Sequence, residues 1–416
     1  MIREIITASS ESTKLGVTDS QIASVRTQVE QETAVRVYAG GHAGVASAVG
    51  SADVDMLTER ARAGLGFQIA YPAQPSADRK SEVSHMGRAR SVGELVELTT
   101  GVIETLRENF PQYVFGHGLE QSRVGWRIHN DLGLDLSYER MTTQVAFLVK
   151  EKGSGSIFDT FVGTEGLDLD AASLIERFSA HLRAFGTPLG PPPSGKQRVV
   201  FPGLEGHAGG GLMQLIRSDM LARVVGTKAS VFQSQLGTGE QVFSSSLSIQ
   251  DSRDANRWRI APFDMEGVVR SAPDHSLVHE GVLGTAVASK RDAVRYGVPA
   301  TGSGVGELAQ LPVTGIGKLV VQPTAERLVD LLDGQPALMP WFVAGGDCTR
   351  AGDLGMPCQV LLRVEADGTV SGRYTGCTLS GSIYDALGSD FVGVSEQRLD
   401  ADSEESFLVT HMSVSS

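Results

Sequence analysis

Residues 186–197 read GTPLGPPPSGKQ, and they limit what the whole chain can fold into. Three consecutive prolines offer no amide hydrogen to a helix or a central strand, and the flanking glycines and serine favour irregular backbone. Neither a helix nor a sheet interior runs through such a segment. The chain is therefore read as two domains, residues 1–190 and 191–416, joined by a linker at about 186–197. A length of 416 residues also exceeds what one ordinary core supports.

The two parts differ in pattern. Before the linker, strands and helices alternate. Thr33–Ser47 reads as two strands around a Gly40-Gly41 turn, with Val35 and Val37 alternating against Arg36 and Tyr38. Val92–Phe110 has helical spacing and stops at Pro111, and Leu167–Phe185 is helical again. Leu132–Val162 reads as a strand meander turning at Lys152–Gly155. After the linker come many short strands: RVVF, QVFSSSLSI, SLVHEGVL, KLVVQ, WFVAGG, QVLLRVEADGTVSGRY and SFLVTHMSV. The expected class is α+β, an N-terminal α/β domain followed by a strand-rich, mainly antiparallel domain. The chain's 49 glycines are scattered at turns, which suits many hairpins and excludes a collagen-like repeat.

A net charge of −13 argues against a general nucleic-acid or membrane binder. No apolar run approaches the ~20 residues of a membrane span. The first residues, MIREIITASSESTKLG, lack the apolar core of a signal peptide, and three cysteines do not make a disulfide framework. A cytoplasmic protein is expected.

Candidate chemistry is sparse. His275, His279 and Glu280 suggest zinc ligands, but in a strand the two histidines lie about 13 Å apart, too far for one ion. Gly302–Gly306 lacks the Lys-Ser/Thr ending of a phosphate loop. Phe243–Ser248 (FSSSLS) has no nucleophile-elbow glycine pattern, and the cysteines form no C-x-x-C pair, so buried or half-exposed thiols are expected. His207, in a glycine-rich stretch, is a candidate cavity residue. The basic-aromatic group Arg253, Arg257, Trp258 and Arg259 is a candidate holder of a peptide carboxylate. A helix expected over Leu212–Val225 places Gln214, Arg217 and Ser218 on one arc and spaces Asp219 four residues from Arg223.

Four segments taken in order resemble the TldD/PmbA (TldD/TldE) family, once described as modulators of DNA gyrase. They are RVYAGGHAGVAS followed by a helix, SVFQSQLGTGEQVFSSSLSIQD, the block Phe263–Gly304 with its Asp-x-Glu-Gly turn, and CTLSGSIYDAL with the terminal strand. Catalytic members of that family resemble zinc peptidases with His-Glu-x-x-x-His and a downstream cysteine ligand. Aligned on Ser230-Val231-Phe232, the three motif positions read Met213, Gln214 and Ser218, and residues 388–406 contain no cysteine. A thioether, an amide and a hydroxyl do not replace two imidazoles and a carboxylate.

The resemblance thus implies a TldE/PmbA-like subunit with no metal or catalytic residue of its own. Its partner is a TldD-like zinc-bearing subunit, and together they enclose and cleave an extended peptide. His207, Arg217 and Arg257 are the expected substrate contacts. Two other readings stay open. One is a homodimeric binding or scaffold protein for a peptide or biosynthetic intermediate. The other is a metal-free hydrolase using Ser218.

Overall fold

The computed structural model describes residues 1–203, 210–399 and 403–415, and the chain is α+β with mainly antiparallel sheets. It opens on three antiparallel strands, β1 (Ile2–Thr18), β2 (Gln21–Ala39) and β3 (His42–Val49). β2 turns into β3 at Gly40 and Gly41, both with positive φ that glycine adopts without strain. Helix α1 (Val54–Gly64) starts where the Asp53 carboxylate accepts the amides of Asp55 and Met56. There follow β4 (Lys80–Met86), α2 (Val92–Asn109), β5 (Tyr113–Asn130), β6 (Asp135–Glu151), β7 (Thr160–Gly166) and α3 (Ala171–Phe185). The strands make one sheet in the order β3-β2-β1-β5-β6-β4, with β7 also on β6. α2 begins on a Ser91/Glu94 capping box and ends before Pro111.

β1 and β5 run the length of the sheet although their sequences alternate only weakly. The outer side of β2 from residue 21 to 31 carries no strand among the described residues, since β3 pairs only with residues 32–39. Val25 and Val29 on that stretch are exposed.

The segment 186–194 crosses to the second part, fastened where the Leu189 amide donates to the Arg373 carbonyl. Next come β8 (Gly195–Pro202), α4 (Gly210–Asp219), α5 (Ala222–Gly226), β9 (Ile249–Ser252), β10 (Asp274–His279), β11 (Val282–Leu283) and α6 (Lys290–Tyr296). Then follow β12 (Gly304–Val305), β13 (Val313–Thr314), β14 (Lys318–Val321), α7 (Leu328–Leu332), β15 (Ala337–Val343), β16 (Asp347–Cys348) and β17 (Asp353–Val364). The chain ends with β18 (Val370–Tyr374), β19 (Cys377–Ser382), α8 (Ile383–Ala386), β20 (Phe391–Arg398) and β21 (Ser406–Ser415).

The larger sheet of this part runs β15-β8-β21-β19-β17-β16, and β15 also pairs with β17, so the sheet curls back on itself. Its strands are apolar on both faces. Val199, Phe201, Leu361 and Leu408 point into one core, while their neighbours Val200, Leu362 and Val409 point into another. Period-two alternation thus feeds two cores at once, as a sheet covered on both sides requires. Each fully buried side chain of this size contributes about 1.5–3 kcal/mol. The second core is shared with Phe115, Phe147, Phe178 and Leu182 of the first part, so α2 and α3 lie between the two large sheets. The first core lies beneath α4.

One expected strand is absent. Residues 241–248 of QVFSSSLSI form turns, with the Ser244 amide donating to the Leu387 carbonyl and the Ser244 and Ser246 hydroxyls joined at 2.9 Å. Serine hydroxyls there satisfy the backbone locally instead of leaving it to a ladder. No helix among the described residues is long and apolar enough to cross a membrane.

Candidate functional site

The stretch expected to form one helix over Leu212–Val225 forms two. Leu212, Met213, Leu215 and Ile216 are buried on the inner side of α4, while Gln214 is exposed and Arg217 and Ser218 are half-buried. Met220 and Ala222 then give their backbone to the neighbouring segment: the Val287 amide donates to Met220 and the Ala222 amide to Val287. That exchange interrupts the helix, so α5 starts anew. Asp219 and Arg223 consequently fall on different helices and do not pair. Asp219, fully buried, instead accepts the Val231 amide at 2.9 Å, the Ser218 hydroxyl at 2.6 Å and Arg350 Nη1 at 3.0 Å.

This arrangement does not suit zinc. Met213 has no exposed surface and packs in the core with Phe201, Phe232 and Met356. Gln214 points to solvent, and Ser218 spends its hydroxyl hydrogen on Asp219. The one carboxylate on the helix end is already saturated by an amide, a hydroxyl and a guanidinium. Among the described residues no three His, Cys, Asp or Glu side chains converge as a metal's ligands do.

The other sequence candidates are scattered. His207 lies outside the described residues. His275 uses Nε2 on the Thr285 carbonyl at 2.9 Å, while His279 is exposed at the far end of β10. Arg257 lies over the Trp258 ring and 3.8 Å from the Asp274 carboxylate. Arg217 projects from α4. Of the basic-aromatic group, Arg259 meets Glu404, and Arg253 is sunk beside Asp251 with its amide on Pro273. In Gly302–Gly306 the Gly304 amide, which a phosphate loop would offer to an anion, donates to Asp264 Oδ2 at 2.8 Å. All three cysteines are buried free thiols.

Two buried charge networks were not foreseen. Asp251, fully buried, accepts Arg270 Nη2 at 2.5 Å, the Gly317 amide at 2.8 Å and the Ser303 hydroxyl at 3.2 Å. The second network centres on the Asp264-Met265-Glu266-Gly267 turn. Glu266 accepts the Tyr71 hydroxyl at 2.9 Å and the Lys290 amide at 2.6 Å. The Met265 carbonyl takes Arg36 Nη1 at 2.7 Å, and Arg36 and Tyr38 both meet Glu4. These bonds tie β1 and β2 to the second part. Burial, then the nearby Asp264 carboxylate, pushes Glu266 up to about 7. The sequence signal was the turn itself, an acidic pair around Met265 followed by a glycine with positive φ.

Beside α5 lies a cavity of about 850 Å³ walled by Val225, Leu236, Val269, Tyr296 and Val298, with His275 among its lining. Its walls are mainly apolar, with Arg270, Asp274 and His275 as the charged or imidazole groups of its lining.

This is the architecture of a metallopeptidase-related scaffold: residues 194–416 match the PmbA/TldA metallopeptidase C-terminal domain. The chain belongs to the PmbA/TldD family. Solved structures share the fold along the full chain. A Thermotoga maritima protein described as a candidate modulator of DNA gyrase matches with a TM-score of 0.80 at 18% identity, covering 100% of this chain and 96% of its own. TldE from Thermococcus kodakarensis matches at 0.78 and 16% identity, covering 100% and 97%. A candidate modulator of DNA gyrase from Bacteroides thetaiotaomicron matches at 0.76 and 16%, covering 100% and 94%. No curated protein matches the chain.

Proposed function

We propose that this chain is the non-catalytic, TldE-like subunit of a two-subunit zinc peptidase, enclosing and positioning an extended peptide while a TldD-like partner carries the metal. The observation that carries this reading is the state of α4. The position aligned with the first histidine holds Met213, packed in the core, and the helix's last carboxylate is spent on Arg350 and Val231. The likeness in fold to a TldE structure agrees with it.

The open edge of β2, residues 21–30, has no strand beside it among the described residues, and an extended peptide adds there as a strand. Ser218 has a carboxylate neighbour and, among the described residues, no imidazole in hydrogen-bonding contact, so the arrangement gives a metal-free serine hydrolase little support.

The test is zinc content by mass spectrometry and peptide cleavage. Both are measured on the purified chain alone and on the chain co-expressed with a TldD-type protein from the same genome. The expected result is no stoichiometric zinc and no cleavage alone, with about one zinc per heterodimer and activity in the complex. Stoichiometric zinc with proteolysis by the lone chain overturns the proposal. A stable homodimer that ignores every TldD-type protein supports the scaffold reading instead.

A further inference from the structure

Two of the three cysteines face each other in the sheet beneath α4. Cys358 of β17 is the direct register partner of Cys377, the first residue of β19. Both are thiols and both are buried in the same core. Directly opposed residues of an antiparallel pair carry their side chains on the same face. Their Cα atoms lie about 4.5 or 5.5 Å apart, and a disulfide spans either distance.

The backbone decides between the two spacings. The Ala344 amide donates to the Pro357 carbonyl at 2.9 Å, so Pro357 faces β15. Backbone groups alternate sides along a strand, which turns those of Cys358 toward β19 and makes the pair the wider, hydrogen-bonded kind. The Cys358 S–H donates to the Met356 carbonyl at 3.5 Å, and the neighbouring Cys358 thiol holds Cys377 below the ordinary thiol value. Cys358, donating and buried, is held above it. Cys348 has a different environment, its S–H turned to the Thr349 carbonyl.

Access exists at one end of the pair. Thr375 and Gly376, immediately before Cys377, are exposed, and Gly376 sits at positive φ in the turn that begins β19. Fraying of that first residue uncovers the more acidic thiol without opening the sheet.

We infer that Cys358 and Cys377 are a reversible redox pair that closes to a cross-strand disulfide. The oxidant is a low-molecular-weight disulfide. The Cys377 thiolate attacks one of its sulfurs, forming a mixed disulfide and releasing one small thiol. The Cys358 thiolate then displaces the second. Two electrons pass to the reagent, the two cysteine protons end on the two released thiols, and one S–S bond is formed in the chain for one broken in the reagent. The wider spacing lies within the usual span of a disulfide, so closure needs no large movement of the strands. Closing it cross-links β17, whose Leu354 and Met356 side chains lie against α4 at Gly211, to β19.

The experiment uses the full-length chain, reduced and then incubated natively with oxidised glutathione. It is followed by alkylation under denaturing conditions, intact mass measurement and peptide mapping. The expected result is two alkylatable thiols lost, one linked peptide pair containing Cys358 and Cys377, and full recovery with dithiothreitol. Cys348→Ser leaves this outcome unchanged, whereas Cys377→Ser leaves Cys358 free. Three thiols that stay alkylatable, stable glutathione adducts without an internal bridge, or a bridge that includes Cys348 each overturn the inference.

Discussion

Restoring a histidine at position 213 tests whether α4 is committed to packing. Met213→His replaces a fully buried thioether in the core beneath the helix. The imidazole fills most of the volume, so the full 2–5 kcal/mol of a Met→Ala cavity is not reached. It brings two ring nitrogens into an apolar core, and an unsatisfied buried polar group costs about 1–3 kcal/mol. Imperfect packing adds about 1 kcal/mol. The expected loss is therefore about 2–4 kcal/mol, read from denaturant-induced unfolding against the parent chain. Gln214→Glu, on the exposed side of the same helix, changes stability by no more than about 0.5 kcal/mol. The triple variant Met213→His, Gln214→Glu, Ser218→His gains no zinc. Position 213 points into the core, and residues 388–406 supply no cysteine as a further ligand. A triple variant that purifies with about one zinc per chain at unchanged stability refutes the reasoning.

Asp251→Ala leaves the Arg270 guanidinium buried without its carboxylate, so a loss of about 3–5 kcal/mol is expected in unfolding experiments. Asp251→Asn, which still accepts the Gly317 amide, loses less; equal losses contradict the charge-pair account. Glu266 makes stability fall with pH. Its folded-state value of about 7 stands above the ordinary 4.5, so its contribution is complete below about pH 4.5 and is lost as pH rises through 7. The shift corresponds to about 3 kcal/mol. Glu266→Gln should therefore gain on the parent by up to that amount between pH 5 and 8, and a pH-independent difference in thermal midpoint contradicts the assignment.

Elements with a strong period were readable in the sequence. α2 carries a capping box at one end and Pro111 at the other, and β8, β15 and β21 are apolar runs. β1 and the first half of β2 were not readable. Over residues 7–14 and 21–31 no side chain of that hairpin is buried, so nothing there forces apolar and polar residues to alternate, and this stretch is held mainly by backbone pairing. The break between α4 and α5 escaped for another reason. A distant segment at Val287 captures the Met220 and Ala222 backbone, and local propensity carries no trace of a tertiary hydrogen bond. The basic-aromatic group also separates through tertiary contacts. Arg257 and Arg259 look like a cluster in sequence, yet one meets Asp274 and the other Glu404, residues separated from them by long stretches of chain.

The two buried networks and the inner side of α4 place opposite demands on their residues. The carboxylate oxygens of Asp251, Asp264 and Glu266 are all engaged by the protein's own donors. The first network joins Asp251 to Arg270, Ser303 and Gly317, the second holds the Asp264–Glu266 turn against β2, and losing Asp251 leaves Arg270 buried without its partner. α4 is under the opposite pressure. Its inner side need only be apolar, and Met213 satisfies that better than a histidine does.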